Sequence, residues 1–174
     1  MKRNILLITP VALLFMAIGI YFGNQRVAPT PAEPTAASLL LAQTLPDSAG
    51  KAQSLSQWKD RPLVVNFWAT WCAPCVEEMP ELSGLQAEVA ARHIQIIGIG
   101  IDSPSNIAEF SQKYKIGYPL YVAGMSGNEL SKRLGNQAGG LPFTVLIGSD
   151  GQVKQTYLGR LKFEELRRDL ATLH

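Results

Sequence analysis

Hydrophobic positions fall into three successive arrangements along the chain. After Lys2 and Arg3, 18 uncharged residues, 5–22, are dominated by Ile, Leu, Val, Ala, Met and Phe. At 1.5 Å per residue a helix of that length nearly crosses a hydrocarbon core of about 30 Å. Pro29, Pro31 and Pro34 then lie among Ala and Thr, a composition with nothing to bury that favours extended, semi-rigid chain. From Leu39 onward, short apolar runs alternate with amphipathic stretches. The pattern predicts a membrane anchor over residues 1–23, a Pro-rich linker over 24–38 and one folded domain over 39–174, a length that suits a single core.

Within the domain, residues 63–67 and 94–101 are apolar and rich in β-branched side chains, as buried strands are. Between them, residues 73–92 place Val76, Met79, Leu82, Leu85 and Val89 at spacings of three and four, one face of a helix. A strand, helix and strand of this length imply parallel strands joined by a right-handed crossover. Further helices are expected at 106–115 and 128–134, with a short strand at 119–122 between them. Residues 143–147 and 152–157 flank Gly148-Ser149-Asp150-Gly151, whose Asp-Gly pair signals a hairpin and therefore antiparallel strands. A last helix at 163–173 carries Phe163, Leu166, Leu170 and Leu173 on one face. The sum is an α/β fold with a central mixed sheet flanked by helices.

Tyr21 and Phe22 end the first apolar run where an interfacial anchor would sit, and the two preceding cations favour an N-terminus held in the cytoplasm. The domain would then lie on the other side of the inner membrane, on a single-pass tether. A cleaved signal peptide is the alternative, but the run is long for one and the following Tyr-Phe-Gly-Asn-Gln offers no small-x-small site. Either reading exports the domain. The net charge of +2 comes from this end, where Lys2, Arg3 and Arg26 face only Glu33. The neutral remainder has no basic run longer than a pair, which excludes the footprint that a phosphate backbone requires.

Only two cysteines occur, Cys72 and Cys75, separated by two residues rather than scattered as a structural framework would be. A closed zinc centre needs about four ligands, and only the distant His93 and His174 could add to the pair. A static disulfide closing so small a loop would constrain the unfolded chain very little. The spacing therefore points to a redox-active pair that needs no metal and no other cofactor. Cys72 opens the predicted helix, where unpaired N–H groups and the positive end of the dipole lower a thiol's pKa and favour its thiolate. That makes Cys72 the nucleophile. Cys75, one turn deeper, is the resolving cysteine that attacks the mixed disulfide. Pro74 stands in the first turn, where its missing N–H costs nothing.

The run Val64-Val65-Asn66-Phe67-Trp68-Ala69-Thr70-Trp71-Cys72-Ala73-Pro74-Cys75, with Glu78, Pro80, Gly140-Leu141-Pro142 and Asp150-Gly151, resembles the thioredoxin superfamily. Within it, the chain is similar to the exported, membrane-anchored branch called TlpA-like or ResA-like thiol-disulfide oxidoreductases. The resemblance covers residue 39 to the C-terminus and implies a thioredoxin-like fold with a CxxC active site. It also implies a cis Pro142 facing the cysteines, with the Leu141 backbone pairing with an extended substrate as an added strand. Asn66 stands where cytosolic thioredoxins carry a buried acid, and an amide cannot titrate. The exported branch often carries Glu at the place of Glu78, so Glu78 becomes the candidate proton carrier for Cys75, with a pKa raised by partial burial. Trp71 is expected on an exposed apolar rim that meets substrate, Trp68 half in the core, Pro80 at a helix kink and His93 as a helix cap.

The exchange could run in either direction, because Ala73-Pro74 fixes no potential. Resemblance to the anchored branch favours a reductase that takes electrons from a membrane thiol-disulfide donor and reduces disulfides in exported proteins. Apocytochrome c awaiting haem attachment is the client class this implies. A disulfide oxidant or isomerase is the rival within the same chemistry, and a redox-regulated binding or chaperone module is the rival outside it. Residues 118–136 fall where the family often carries an insertion that could shape partner choice.

Overall fold

Helix α1 (Ala36–Leu41) opens the folded part of the chain, and its start overlaps the end of the expected spacer at 38. Thr35 caps it by accepting a bond from the Ser38 N–H at 3.1 Å, and Ala37, Leu40 and Leu41 are buried. The local Ala-Ala-Ser-Leu-Leu-Leu is too short to show a helical period; its burial comes from the sheet it covers. The computed structural model describes residues 34–173, so the expected anchor and most of the linker lie outside the described residues. Among the described residues no helix is long and apolar enough to cross a membrane.

Two short antiparallel strands, β1 (Thr44–Pro46) and β2 (Ala52–Ser54), follow, then a 3₁₀ turn at Leu55–Trp58. The main sheet contains β3 (Leu63–Trp68), β4 (Gln95–Gly100), β5 (Leu120–Val122), β6 (Phe143–Ile147) and β7 (Val153–Leu158) in the order β5-β4-β3-β6-β7. β3, β4 and β5 run parallel, whereas β6 and β7 are antiparallel to their neighbours, which gives the expected mixed sheet. The hairpin forms at the expected turn: the Gly148 N–H donates to the Gln152 carbonyl at 2.9 Å, and Gly151 takes φ +70°. Glycine adopts that left-handed backbone without a Cβ penalty.

Alternation along β3 builds two cores. Val64 and Trp68 face helix α2 (Ala73–Val89), helix α3 (Pro104–Tyr114) and helix α5 (Phe163–Ala171), while Leu63, Val65 and Phe67 face α1 and the residues around helix α4 (Ser126–Arg133). A strand buried on both faces reads as a continuous apolar run, which is why β3 and β4 stand out in the sequence. Asn66 is the polar exception in β3 and is fully buried. Trp68 is fully buried rather than half exposed, and its indole packs on Phe110 with ring centroids 4.7 Å apart.

α2 presents Cys75, Met79, Leu82, Leu85 and Val89 to the core. Pro80 lies within this continuous helix, where its missing N–H removes one intrahelical bond on the exposed side. His93 takes the left-handed cap after a 3₁₀ turn, with its backbone N–H on the Ala90 carbonyl. Leu82 has no exposed surface at the centre of this face. Leu82→Ala should therefore cost about 2–5 kcal/mol in urea unfolding while leaving exchange activity in the folded fraction intact. A loss below about 1 kcal/mol would show that the face repacks.

Candidate active site

The site is built at the C-terminal end of β3, where the chain turns into α2. Cys72 is the N-cap of α2 in extended conformation (φ −89°, ψ 97°), and its carbonyl accepts the first helical bond from Val76 at 3.1 Å. No acidic residue occupies the first turn and Pro74 lies there, so nothing anionic competes with Cys72 for the positive end of the helix. Cys72 and Cys75 are joined in a disulfide. Cys72 retains 6% exposure and Cys75 none, so an incoming sulfur can reach only the first of them.

A clamp that sequence reasoning missed fixes the loop before Cys72. Asp102, just beyond β4, accepts bonds from the Thr70 backbone N–H at 3.1 Å, from the Thr70 hydroxyl, from the Ser103 N–H and from the Asn106 amide. Burial opposes its ionisation, but these bonds outweigh it and hold the carboxyl below the ordinary carboxylate range. Thr70 and Asp102 are separated by 32 residues, and no local spacing announces their contact. Beside this loop, Trp71 is 70% exposed, the apolar rim expected next to the cysteines.

The Leu141-Pro142 peptide bond is cis. Pro142 is buried and Leu141 half-buried, and Leu141 packs against both core clusters, one of which contains the two cysteines. Asn136, also missed, supports the approach to this bend: it is buried, and its amide donates to the Gly140 carbonyl at 2.9 Å. On the other side the Gly159 N–H donates to the Pro142 carbonyl at 2.8 Å.

Glu78 is the third component. It follows Cys75 by one turn of α2, so the two side chains share a face, and it is only 1% exposed. Its Oε1 accepts from the Asn66 amide at 2.9 Å and its Oε2 from the Leu161 backbone N–H at 3.0 Å. The same Asn66 amide reaches the Thr144 hydroxyl at 3.0 Å, tying β3, β6 and α2 together. Burial dominates these two bonds and the nearby positive charge of Arg160, and it pushes the Glu78 carboxyl up to about 7. Its neighbours Glu77 and Glu81 are exposed and pair with Arg160 and Arg167 at the surface. The cluster thus splits into two solvated acids and one buried one. Among the described residues no group of three His, Cys, Asp or Glu side chains is placed to hold a metal.

The arrangement couples a partly accessible sulfur at a helix N-terminus to a buried sulfur with a carboxyl one turn below. The sequence model of the Redoxin family matches residues 30–170. The chain is 30% identical over 178 residues to a thiol-disulfide oxidoreductase ResA of Bacillus cereus, covering 98% of this chain and 97% of that protein. It is 25% identical over 172 residues to the ResA of Geobacillus thermodenitrificans, covering 98% and 94%. Among solved structures, a thioredoxin family thiol:disulfide interchange protein of Chlorobium tepidum superposes with TM-score 0.62 at 25% identity, over 83% of this chain and 99% of that one. StoA of Bacillus subtilis superposes with TM-score 0.61 at 19% identity, over 80% and 99%, and speaks for the fold alone.

Proposed function

Since the chain belongs to the Redoxin family and is a thiol-disulfide oxidoreductase of thioredoxin-like fold, we propose that it acts as an exported, membrane-tethered reductase of disulfides in other exported proteins. The observation that carries the chemistry is the unequal pair, Cys72 at the surface of a helix N-terminus and Cys75 buried above Glu78. In the reduced protein the Cys72 thiolate attacks a client disulfide, forming a mixed disulfide and releasing one client sulfur as thiolate. Cys75 then gives its proton to the Glu78 carboxylate and attacks the Cys72 sulfur. The Cys72–Cys75 bond closes, the second client sulfur leaves, and it takes up a proton. Two electrons pass from the pair to the client in each cycle, so a thiol donor must reduce the pair again.

The domain's own residues supply everything else the cycle needs, and no further cofactor enters. The Leu141 backbone beside cis Pro142 and the exposed Trp71 ring offer an extended client segment a strand partner and an apolar surface. The apolar run at 5–22, with cations before it, supports a single-pass anchor in the inner membrane and a catalytic domain on the periplasmic side. On that side the donor would be a membrane thiol-disulfide protein. Resemblance to the anchored branch supports the reductive direction and apocytochrome c as a client class.

The test is capture of clients. In Cys75→Ser the first attack proceeds and resolution stops, so membranes expressing this variant should accumulate mixed disulfides on Cys72 that dissolve on reduction. Exported proteins with paired cysteines, haem-attachment sequences among them, are the expected cargo. Absence of any Cys72-linked protein from otherwise competent membranes would overturn the client-reductase reading.

A further inference from the structure

The buried polar cluster around Glu78 does not end at Asn66. Three buried atoms on this side of the sheet find no hydrogen-bond partner among the described residues: Asn66 Oδ1, Trp68 Nε1 and Tyr118 Oη. Their positions are linked through Gly98, which pairs in register with Asn66 across the parallel strands β3 and β4. A Cβ at Gly98 would lie 2.6 Å from Leu120 Cδ2, 3.1 Å from Trp68 Nε1 and 3.3 Å from the Tyr118 ring, so Leu120 fills the space over the glycine and the indole and the phenol close in beside it over β4. The loop carrying Tyr118 is fastened to α2, because the Gly117 N–H donates to Ser83 Oγ at 3.1 Å and Ser83 bonds back to the Met79 carbonyl. Tyr118 also borders a surface pocket of about 490 Å³ beyond β5, so solvent lies one side chain away.

The donor and acceptor inventory of these atoms is complementary. An indole N–H and a phenolic O–H both donate, and an amide carbonyl accepts. Leaving all three bare would cost the folded state the full desolvation of each group with nothing to offset it. A single water can accept from both donors, give one proton to Asn66 Oδ1 and retain the other for Glu78, the four partners at which an internal water is well held. We propose that Tyr118, Trp68 and Asn66 enclose an internal water that extends the Asn66–Glu78 hydrogen bond, making Tyr118 a positioning residue for the proton that Glu78 exchanges with Cys75. This rests on Glu78 being the proton carrier. The Glu78 carboxylate adds to burial in raising the Tyr118 phenol far above its ordinary value, so Tyr118 stays a donor throughout. The other ionisable groups facing Glu78 are Cys75 on its own helix and Arg160 before α5, whose guanidinium pairs with Glu77 at 3.0 Å.

The experiment is a carboxyl ¹³C titration of Glu78 in the oxidised protein, where the cysteines do not titrate, comparing the wild type with Tyr118→Phe. Phenylalanine keeps the ring and removes only the hydroxyl. With the bridged network, losing one donor weakens the water's bond to the carboxylate, and the Glu78 midpoint should rise by roughly half a pH unit or more. Tm should fall at the same time, because a made hydrogen bond is lost. An unchanged midpoint near 7 with a higher Tm, the response to deleting a bare hydroxyl, would overturn the Tyr118 role and leave the Glu78 role standing. A wild-type midpoint in the ordinary carboxylate range would instead remove the Glu78 reading, and this proposal with it.

Discussion

Cys72→Ser is expected to reduce catalysed insulin-disulfide reduction to the uncatalysed background, whereas Cys75→Ser should still form mixed disulfides and fail only to release them. A serine hydroxyl does not ionise near neutral pH and cannot form the sulfur–sulfur intermediate, so no part of the first step survives. The asymmetry follows from placement. Cys72 holds the N-cap of α2 and keeps some exposure, whereas Cys75 lies in the first turn with none. Stopped-flow tryptophan fluorescence with a small disulfide would follow the first step separately, since Trp71 adjoins the reacting sulfur. Turnover remaining in Cys72→Ser but lost in Cys75→Ser would reverse the assigned order of attack. Client capture that needs neither cysteine would favour a binding module over an enzyme.

What the sequence discloses about this site is what lies close together in the chain. Cys72, Pro74 and Cys75 sit within four residues, and their relation to the start of α2 follows from the apolar spacing of Val76 to Val89. The cis bond at Pro142 was legible only through family resemblance, because an X-Pro bond in a single sequence is ambiguous. The supports of the site were not legible in either way. Glu78 takes its second bond from Leu161, 83 residues away, and Asn66 reaches Thr144 across 78 residues. Asp102 clamps Thr70 across two strand ends and Asn136 braces the Pro142 bend from the segment after α4, each through an ordinary polar side chain with no motif around it. α1 escaped notice for the opposite reason, since six residues after a Pro-rich stretch carry no helical period of their own. That Asn66 cannot titrate follows from its amide alone. Its positive task, donating to both Glu78 and Thr144, emerges only when β6 and α2 are placed against β3.

Glu78→Gln is the second large effect, and it should move stability and rate in opposite directions. Glutamine preserves size but cannot take a proton, so resolution of the mixed disulfide by Cys75 should slow by about 10²-fold, the lower range for loss of a positioned general base. Attack by Cys72 needs no such base and should be nearly unchanged, so mixed disulfide should accumulate during turnover. The inflection near pH 7 in the resolution rate should vanish, because the carboxyl that supplies it titrates at about 7 in the fold. Stability carries the reverse sign. Folding raises this acid from 4.5 to about 7, so between those values the native state binds the extra proton. Its favourable contribution is complete below about pH 4.5 and fades as pH rises to 7, a swing of up to about 3 kcal/mol at 1.36 kcal/mol per unit. Wild type minus Glu78→Gln, measured by urea unfolding at pH 5 and pH 8, should therefore move against the wild type at the higher pH. Taking the difference cancels the surface carboxylates Asp47, Glu88 and Asp150, whose lowered values act in more acidic solution. A flat difference between the two pH values, together with unaltered resolution, would reduce Glu78 to a buried structural acid. A gain in stability at pH 8 with a slowed second step would mean that the protein accepts an unfavourable buried carboxylate in order to deprotonate Cys75.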